Sequence, residues 1–280
     1  MGQTAAASIS SDAIAMVGGG QMAMALAEGF CRAGLLNAAD VTVYDPEPTA
    51  RNRIAARVPG ICLAATGIGA VASAGIIFLA VKPQHAAIAC REIAVGIRSD
   101  AVIVSIVAGL PIATLASLLN TQKIIRVMPN TPCLVGQGVS VVCHSQAVSE
   151  KILRRVTDLL AAVGHVHAVD ETLMDAVTGL SGSGPGFVAY LVEALADGGV
   201  KAGLPQPLSL ALAVQTLTGT AALLAHTGED PAQIKERVSS PAGTTLAGLA
   251  VLEQRGVRGS LIDAVVAAAA RARELGQPAP

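Results

Sequence analysis

Ala13-Ile14-Ala15-Met16-Val17-Gly18-Gly19-Gly20-Gln21-Met22-Ala23 begins as a short apolar run, passes into three glycines, and opens the helix-length segment Gln21 to Ala33. A strand that ends in G-x-G-x-x-A and feeds a helix is the context in which a glycine-rich loop grips a pyrophosphate. Gly18 permits the tight turn, Gly20 lets backbone amides approach the phosphates, and Ala23 is small enough for the helix to pack on the sheet. The helix N-terminus adds unpaired N–H groups and partial positive charge at the same point. Gly18, Gly19, Gly20, Gln21 and Met22 therefore read as a dinucleotide loop.

Further apolar runs, each short enough for a strand, follow at Val41 to Tyr44, Ile76 to Ala80, Val102 to Ile106 and Ile124 to Met128. Helix-length segments such as Pro83 to Gly96 and Ile112 to Leu119 lie between them, and this alternation predicts a parallel sheet with helices on both faces. After Val169 the pattern changes to Ala/Leu-rich helices, with breaks expected at Ser181 to Gly186, Gly203 to Pro207, Gly228 to Pro231 and Ser239 to Gly243. The expected fold is α/β: a Rossmann-type parallel-sheet domain over residues 1–170, then an all-α domain over residues 171–280.

Two features extend the dinucleotide site. Ala80-Val81-Lys82-Pro83 closes the strand from Ile76 and places a cation at the carboxyl edge of the sheet, where dinucleotides lie. Asp45, 27 residues after Gly18, can bond ribose hydroxyls, which alone suggests NADH. Arg51 and Arg53 could instead pair with the 2'-phosphate of NADPH, and Asp45-Pro46 could serve only to start a turn, so both cofactors stay open.

Composition narrows the classes. With 280 residues, 52% of them hydrophobic, the chain can bury the cores of two domains. A net charge of -1 and 2% aromatic residues give neither a cationic face nor stacking platforms, so no nucleic-acid partner is expected. Five cysteines with no C-x-x-C pair point to reduced thiols and a cytoplasmic location. Met1 to Asp12 is small and polar with no basic residue before Arg32, which argues against a secretory leader, and Ala6 removes the myristoylation signal that would begin at Gly2. Ala202 to Gly228 is uncharged and long enough to cross a bilayer, but Pro205, Pro207 and Gln215 argue for a helix buried on all sides within a dimer, with no membrane partner. His165 and His167 are spaced to share one face of an edge strand, without the companions a metal site requires. His85, His144 and His226 are isolated, and Cys133 has no evident base.

Longer motifs then accumulate: Arg126-Val127-Met128-Pro129-Asn130-Thr131-Pro132, Ser181-Gly182-Ser183-Gly184-Pro185, Glu193-Ala194-Leu195-Ala196-Asp197, Gly203-Leu204-Pro205 and Ser239-Ser240-Pro241-Ala242-Gly243-Thr244-Thr245. In this order, from about Ile14 to Leu275, they resemble the pyrroline-5-carboxylate reductase family. The resemblance implies hydride transfer from NADH or NADPH to the ring imine of 1-pyrroline-5-carboxylate, giving L-proline. It implies a helical domain that interleaves with a second subunit, making a homodimer that can assemble further. By motif correspondence the cofactor is lined by Gly18, Gly19, Gly20, Gln21, Met22, Asp45, Ala80, Lys82, Pro83 and Ala108, and the substrate by Ser240, Gly243, Thr244 and Thr245, with Thr245 catalytic. The competing role for Ser240, Thr244 and Thr245 is to cap the following helix.

The chain departs from the family at Ala242, where Gly is usual, and at Gly186-Phe187, which replaces Ala-Tyr. A positive φ at Ala242 would cost about 1 kcal/mol. A β-hydroxyacid-type dehydrogenase is the enzymatic alternative, with Lys201 as its only candidate lysine on the long helix. A non-catalytic dinucleotide sensor is the other, and it leaves the Ser239 to Thr245 loop without a purpose.

Overall fold

The computed structural model describes Ala13 to Gly276, so the expectations placed on Met1 to Asp12 lie outside the described residues. Eight strands form one sheet: β1 Ile14–Val17, β2 Val41–Tyr44, β3 Cys62–Leu63, β4 Ile76–Leu79, β5 Val102–Ser105, β6 Ile124–Met128, β7 Gly138–His144 and β8 Gly164–Ala168. Their spatial order is β3-β2-β1-β4-β5-β6-β7-β8. The first six are parallel in the doubly wound order, and the sheet reverses its winding between β1 and β4.

Side-chain alternation explains why β1, β4 and β5 are apolar at nearly every position. Met16, Phe78 and Val104 share one face in register, while Ala15, Ile77 and Ile103 share the other. Both faces are covered, which requires near-continuous apolar strands. Helices α1 (Gln21–Arg32), α2 (Pro48–Arg57) and, later in the chain, Glu150–Ala161 contribute Leu26, Phe30, Ile54, Val156 and Leu160 to the first face. Phe30 meets Phe78 with ring centroids 5.6 Å apart. Helices α3 (Gly67–Val71), α4 (Pro83–Ile93) and α5 (Ile112–Leu119) cover the opposite face through Val71, Cys90, Ile93, Leu115 and Leu119. Glu150–Ala161 is α6.

The sheet is not wholly parallel. β7 runs antiparallel to β6, because the connection between them is a short turn rather than a helical crossover. Asn130 holds that turn by accepting from the Val139 N–H at 2.9 Å. β8 then pairs parallel to β7 and closes the sheet as an edge, with His165 and His167 exposed on one of its faces, as their spacing indicated.

The break expected at Ser181 to Gly186 is instead helical. After α7 (Met174–Val177) the backbone makes a π turn over Thr178–Gly182, and α8 (Gly184–Lys201) starts with Pro185 in its first turn. Proline is tolerated there because those N–H groups have no partner in the helix anyway. Its missing N–H leaves the Ser181 carbonyl free, and Asn130 Nδ2 donates to it at 3.3 Å.

The described chain divides into two compact units: one holds the sheet up to Gly182 together with residues from Ala268 onward, and the other spans Ser183–Ala267. Residues 171–182 stay with the sheet through Met174, buried against Val141 and Cys143, and through an ion-pair cluster. Arg126, only 5% exposed, donates to Glu171 at 3.2 Å and lies 3.6 Å from Asp175. Glu171 also accepts the Ile112 N–H at the start of α5 at 2.7 Å, and Arg273 lies 3.8 Å from Asp175. The chain end packs on the turn after β5, where a Cβ on Gly109 would come within 2.9 Å of the Ala272 carbonyl.

The second unit contains α8, α9 (Gln206–Thr227), α10 (Pro231–Arg237), α11 (Thr244–Gln254) and the first part of α12 (Val257–Leu275). α8 and α9 form a close hairpin: the buried Ser209 hydroxyl donates to the Ala196 carbonyl at 2.6 Å, against Gly199. Asp230 and Gln233 form a capping box at the start of α10. α9 is not buried on all sides within one chain: Leu208, Leu210, Leu212 and Val214 are all exposed, and only Ser209 and Ala213 are buried. By length and composition α9 would suffice to cross a membrane.

Arg126→Met keeps bulk at the buried position and leaves Glu171 and Asp175 without their guanidinium. The expected loss is about 1–3 kcal/mol, read as a lower urea midpoint at unchanged slope. A wild-type midpoint would show that this ion-pair cluster does not brace the sheet.

Candidate dinucleotide site and substrate loop

A cleft of about 560 Å³ opens at the carboxyl ends of β1, β2 and β4, where the winding reverses. Of the residues assigned to the cofactor from sequence, Gly18, Gly20, Asp45, Ala80 and Lys82 line it. The others surround it or lie along the same sheet edge. Gly19 gives its N–H to Asp45 at 2.8 Å. Gln21 and Met22 begin α1, and Pro83 occupies the first turn of α4. Ala108 follows β5, outside the cleft lining but on the turn that ends at Gly109.

The glycines differ in what they do. Gly18 adopts φ +105°, and a Cβ there would fall 2.5 Å from the Ala80 carbonyl oxygen, so its missing side chain lets β1 turn beside β4. A Cβ on Gly20 would meet nothing within 4 Å. That open space lies at the N-terminus of α1, whose cap makes no side-chain hydrogen bond, so first-turn amides remain available to an anion. The residues present fit a dinucleotide pyrophosphate.

The sequence reading missed one wall. His85, Ile88, Ala89 and Glu92 line the cleft from one face of α4, at positions i, i+3, i+4 and i+7. That spacing is the available signal, and it brings His85, isolated in the sequence, together with three neighbours on one helix face. Glu92 also accepts the Gly67 N–H at 3.1 Å. Burial, and then a hydrogen bond with Glu92, raises the pKa of the Tyr44 phenol above its usual range.

In the helical unit, Ala242 has φ +56°, the left-handed conformation for which Gly is favoured. The turn is closed by the Gly243 N–H donating to the Ser240 carbonyl at 2.9 Å. Gly243, not a hydroxyl residue, is the N-cap of α11, and that cap makes no side-chain hydrogen bond. Thr244 and Thr245 therefore occupy the first turn of α11 without capping it. Lys201 is exposed at the last position of α8, where a cation favours the helix dipole.

All five cysteines are free. Burial pushes the Cys90 and Cys143 thiols up to about 11 and raises that of Cys133, which makes all three poor nucleophiles at neutral pH.

Residues 171–275 match the family model for pyrroline-5-carboxylate reductase dimerisation, and residues 13–109 match that for NADP oxidoreductase, coenzyme F420-dependent. The chain is 38% identical to the pyrroline-5-carboxylate reductase of Pisum sativum over 262 residues, covering 94% of this chain and 95% of that one. It is 48% identical to the enzyme of Synechocystis sp. over 202 residues, 72% and 75% of the two chains. The solved structure of Plasmodium falciparum pyrroline carboxylate reductase with NADP bound superposes with a TM-score of 0.85 at 31% identity, over 94% of this chain and 98% of that one. The sheet, its cleft and these similarities define an NAD(P)H-dependent oxidoreductase whose helical half matches a dimerisation domain. The chain belongs to the pyrroline-5-carboxylate reductase family.

Two glycine variants separate fold from binding. Gly20→Val places its Cβ in open space and should keep its thermal midpoint while dinucleotide affinity falls about tenfold or more. Gly18→Ala forces a Cβ into a positive-φ turn and should lose at least about 1 kcal/mol of stability. Unchanged dinucleotide affinity in Gly20→Val, measured by calorimetric titration, would remove this loop from the site.

Proposed function

We propose that the chain reduces 1-pyrroline-5-carboxylate to proline, with the cofactor in the cleft of the sheet unit and the substrate held by Ser240, Gly243, Thr244 and Thr245. The observation that carries this reading is the free first turn of α11, where threonine hydroxyls and amides are uncommitted to capping. A bound reduced dinucleotide supplies the hydride.

The chain's own work is positioning. Amides at the start of α11 suit the substrate carboxylate, because they combine free N–H groups with the positive end of the helix dipole. Thr245 is half-buried in that turn, and its hydroxyl is suited to the ring nitrogen. A protonated imine accepts hydride without a strong acid, so orientation and exclusion of water supply most of the rate. A β-hydroxyacid-type reaction needs a basic group at the alcohol, and the exposed, helix-terminal Lys201 is poorly placed to be one.

The reading includes a homodimer formed through the helical unit. α9 is apolar around most of its circumference, and a second copy would bury its exposed Leu208, Leu210 and Leu212. It also places the protein in the cytoplasm, where five free thiols stay reduced.

Thr245→Val removes one hydroxyl at nearly constant shape. Turnover of pyrroline-5-carboxylate should fall roughly five- to two-hundred-fold, the equivalent of about 1–3 kcal/mol, with dinucleotide affinity unchanged. Wild-type kinetics combined with a lowered thermal midpoint would reduce Thr245 to a structural residue.

A further inference from the structure

The sequence leaves NADH and NADPH open because Asp45 argues for one and two nearby arginines for the other. The structure separates these groups. Asp45 is held by two backbone amides at once: the Gly19 N–H donates to Oδ2 at 2.8 Å and the Glu47 N–H to Oδ1 at 2.9 Å. Its carbonyl accepts from Arg51 at 2.7 Å, which commits that guanidinium to the backbone of the same loop. Arg57 is drawn to Glu28 at 2.7 Å. Among the described residues, Arg53 makes no ion pair, and it lines the cleft together with Asp45 and Glu47.

Resting on the NAD(P)H-dependent reading above, we propose that Asp45 makes the enzyme prefer NADH over NADPH, with Arg53, which lines the cleft together with Asp45 and Glu47, as a counter-cation that keeps NADPH usable. A carboxylate tied to two N–H donors cannot swing aside to admit a second anion. Each of its oxygens keeps a lone pair, so it can still accept from the ribose 2'- and 3'-hydroxyls. A 2'-phosphate removes that donor and brings up to two negative charges against Asp45, with Glu47 close by. Arg53 offsets part of this repulsion from the cleft wall. The same carboxylate positions Gly19, so cofactor choice and the shape of the phosphate loop are set by one side chain.

The test is equilibrium binding of NADH and of NADPH to the full-length protein, by nicotinamide fluorescence, with thermal midpoints recorded alongside. Wild type should bind NADH more tightly by at least about tenfold. Asp45→Ser should shift the ratio toward NADPH by a similar factor, and Arg53→Gln should weaken NADPH severalfold while leaving NADH unchanged. Asp45→Asn keeps the shape and one acceptor oxygen, for the Gly19 amide, while removing the charge and setting an NH2 donor against the Glu47 amide, so it serves if the serine variant fails to fold. Equal or tighter binding of NADPH by wild type overturns the preference, as does a parallel loss of both dinucleotides in Asp45→Asn, which would make Asp45 only a brace for the loop. Failure of wild type to bind either dinucleotide would instead overturn the cofactor reading, and this proposal with it.

Discussion

At the carboxyl end of β1 the backbone passes so close to the Ala80 carbonyl that no side chain fits at Gly18. This close approach follows from placing β1 between β2 and β4, with the chain leaving in opposite directions on either side. The cleft exists because the chain parts there, and its depth depends on how tightly β1 turns. From that turn the amide of Gly19 is presented to Asp45 and the N-terminus of α1 faces the opening. The binding geometry is thus a product of backbone packing, and few side chains are needed to finish it.

A second tie operates at the far side of the sheet. Arg126 is buried in β6, and its guanidinium gathers Glu171 and Asp175 from the segment that leads into the helical unit. Glu171 simultaneously satisfies an amide at the start of α5. Asn130, four residues further along, uses one end of its amide for the β6–β7 turn and the other for the π turn. The Arg-x-x-x-Asn spacing in Arg126 to Asn130 therefore encodes a structural joint.

Much of this was legible in the sequence for a definite reason. β1, β4 and β5 are buried on both faces, so their apolar runs are uninterrupted and their ends fall within a residue of the expected limits. β7 and β8 contain Ser, Cys and His and lie at or near the sheet edge, which blurs the apolar signal, and β3 is only two residues long. The Ser-Gly-Ser-Gly-Pro run looks like a break because glycine and proline usually punctuate, yet at a helix start they are tolerated. The positive φ required at Ala242 was legible from the family pattern alone. The α4 wall of the cleft was not, because its four lining residues share a face without sharing a chemistry. The apolar character of α9 was plain, but what covers it is not written in the chain's own packing.

The packing of Ala272 and Leu275 against Gly109 has a consequence for the order of events during synthesis. Those positions are separated by more than half the chain, with the whole helical unit inserted between them. Strands β1 to β6 leave the ribosome early and can pair as they emerge. The turn after β5 stays uncovered until the final helix is complete, so the sheet unit is the first to begin folding and the last to finish.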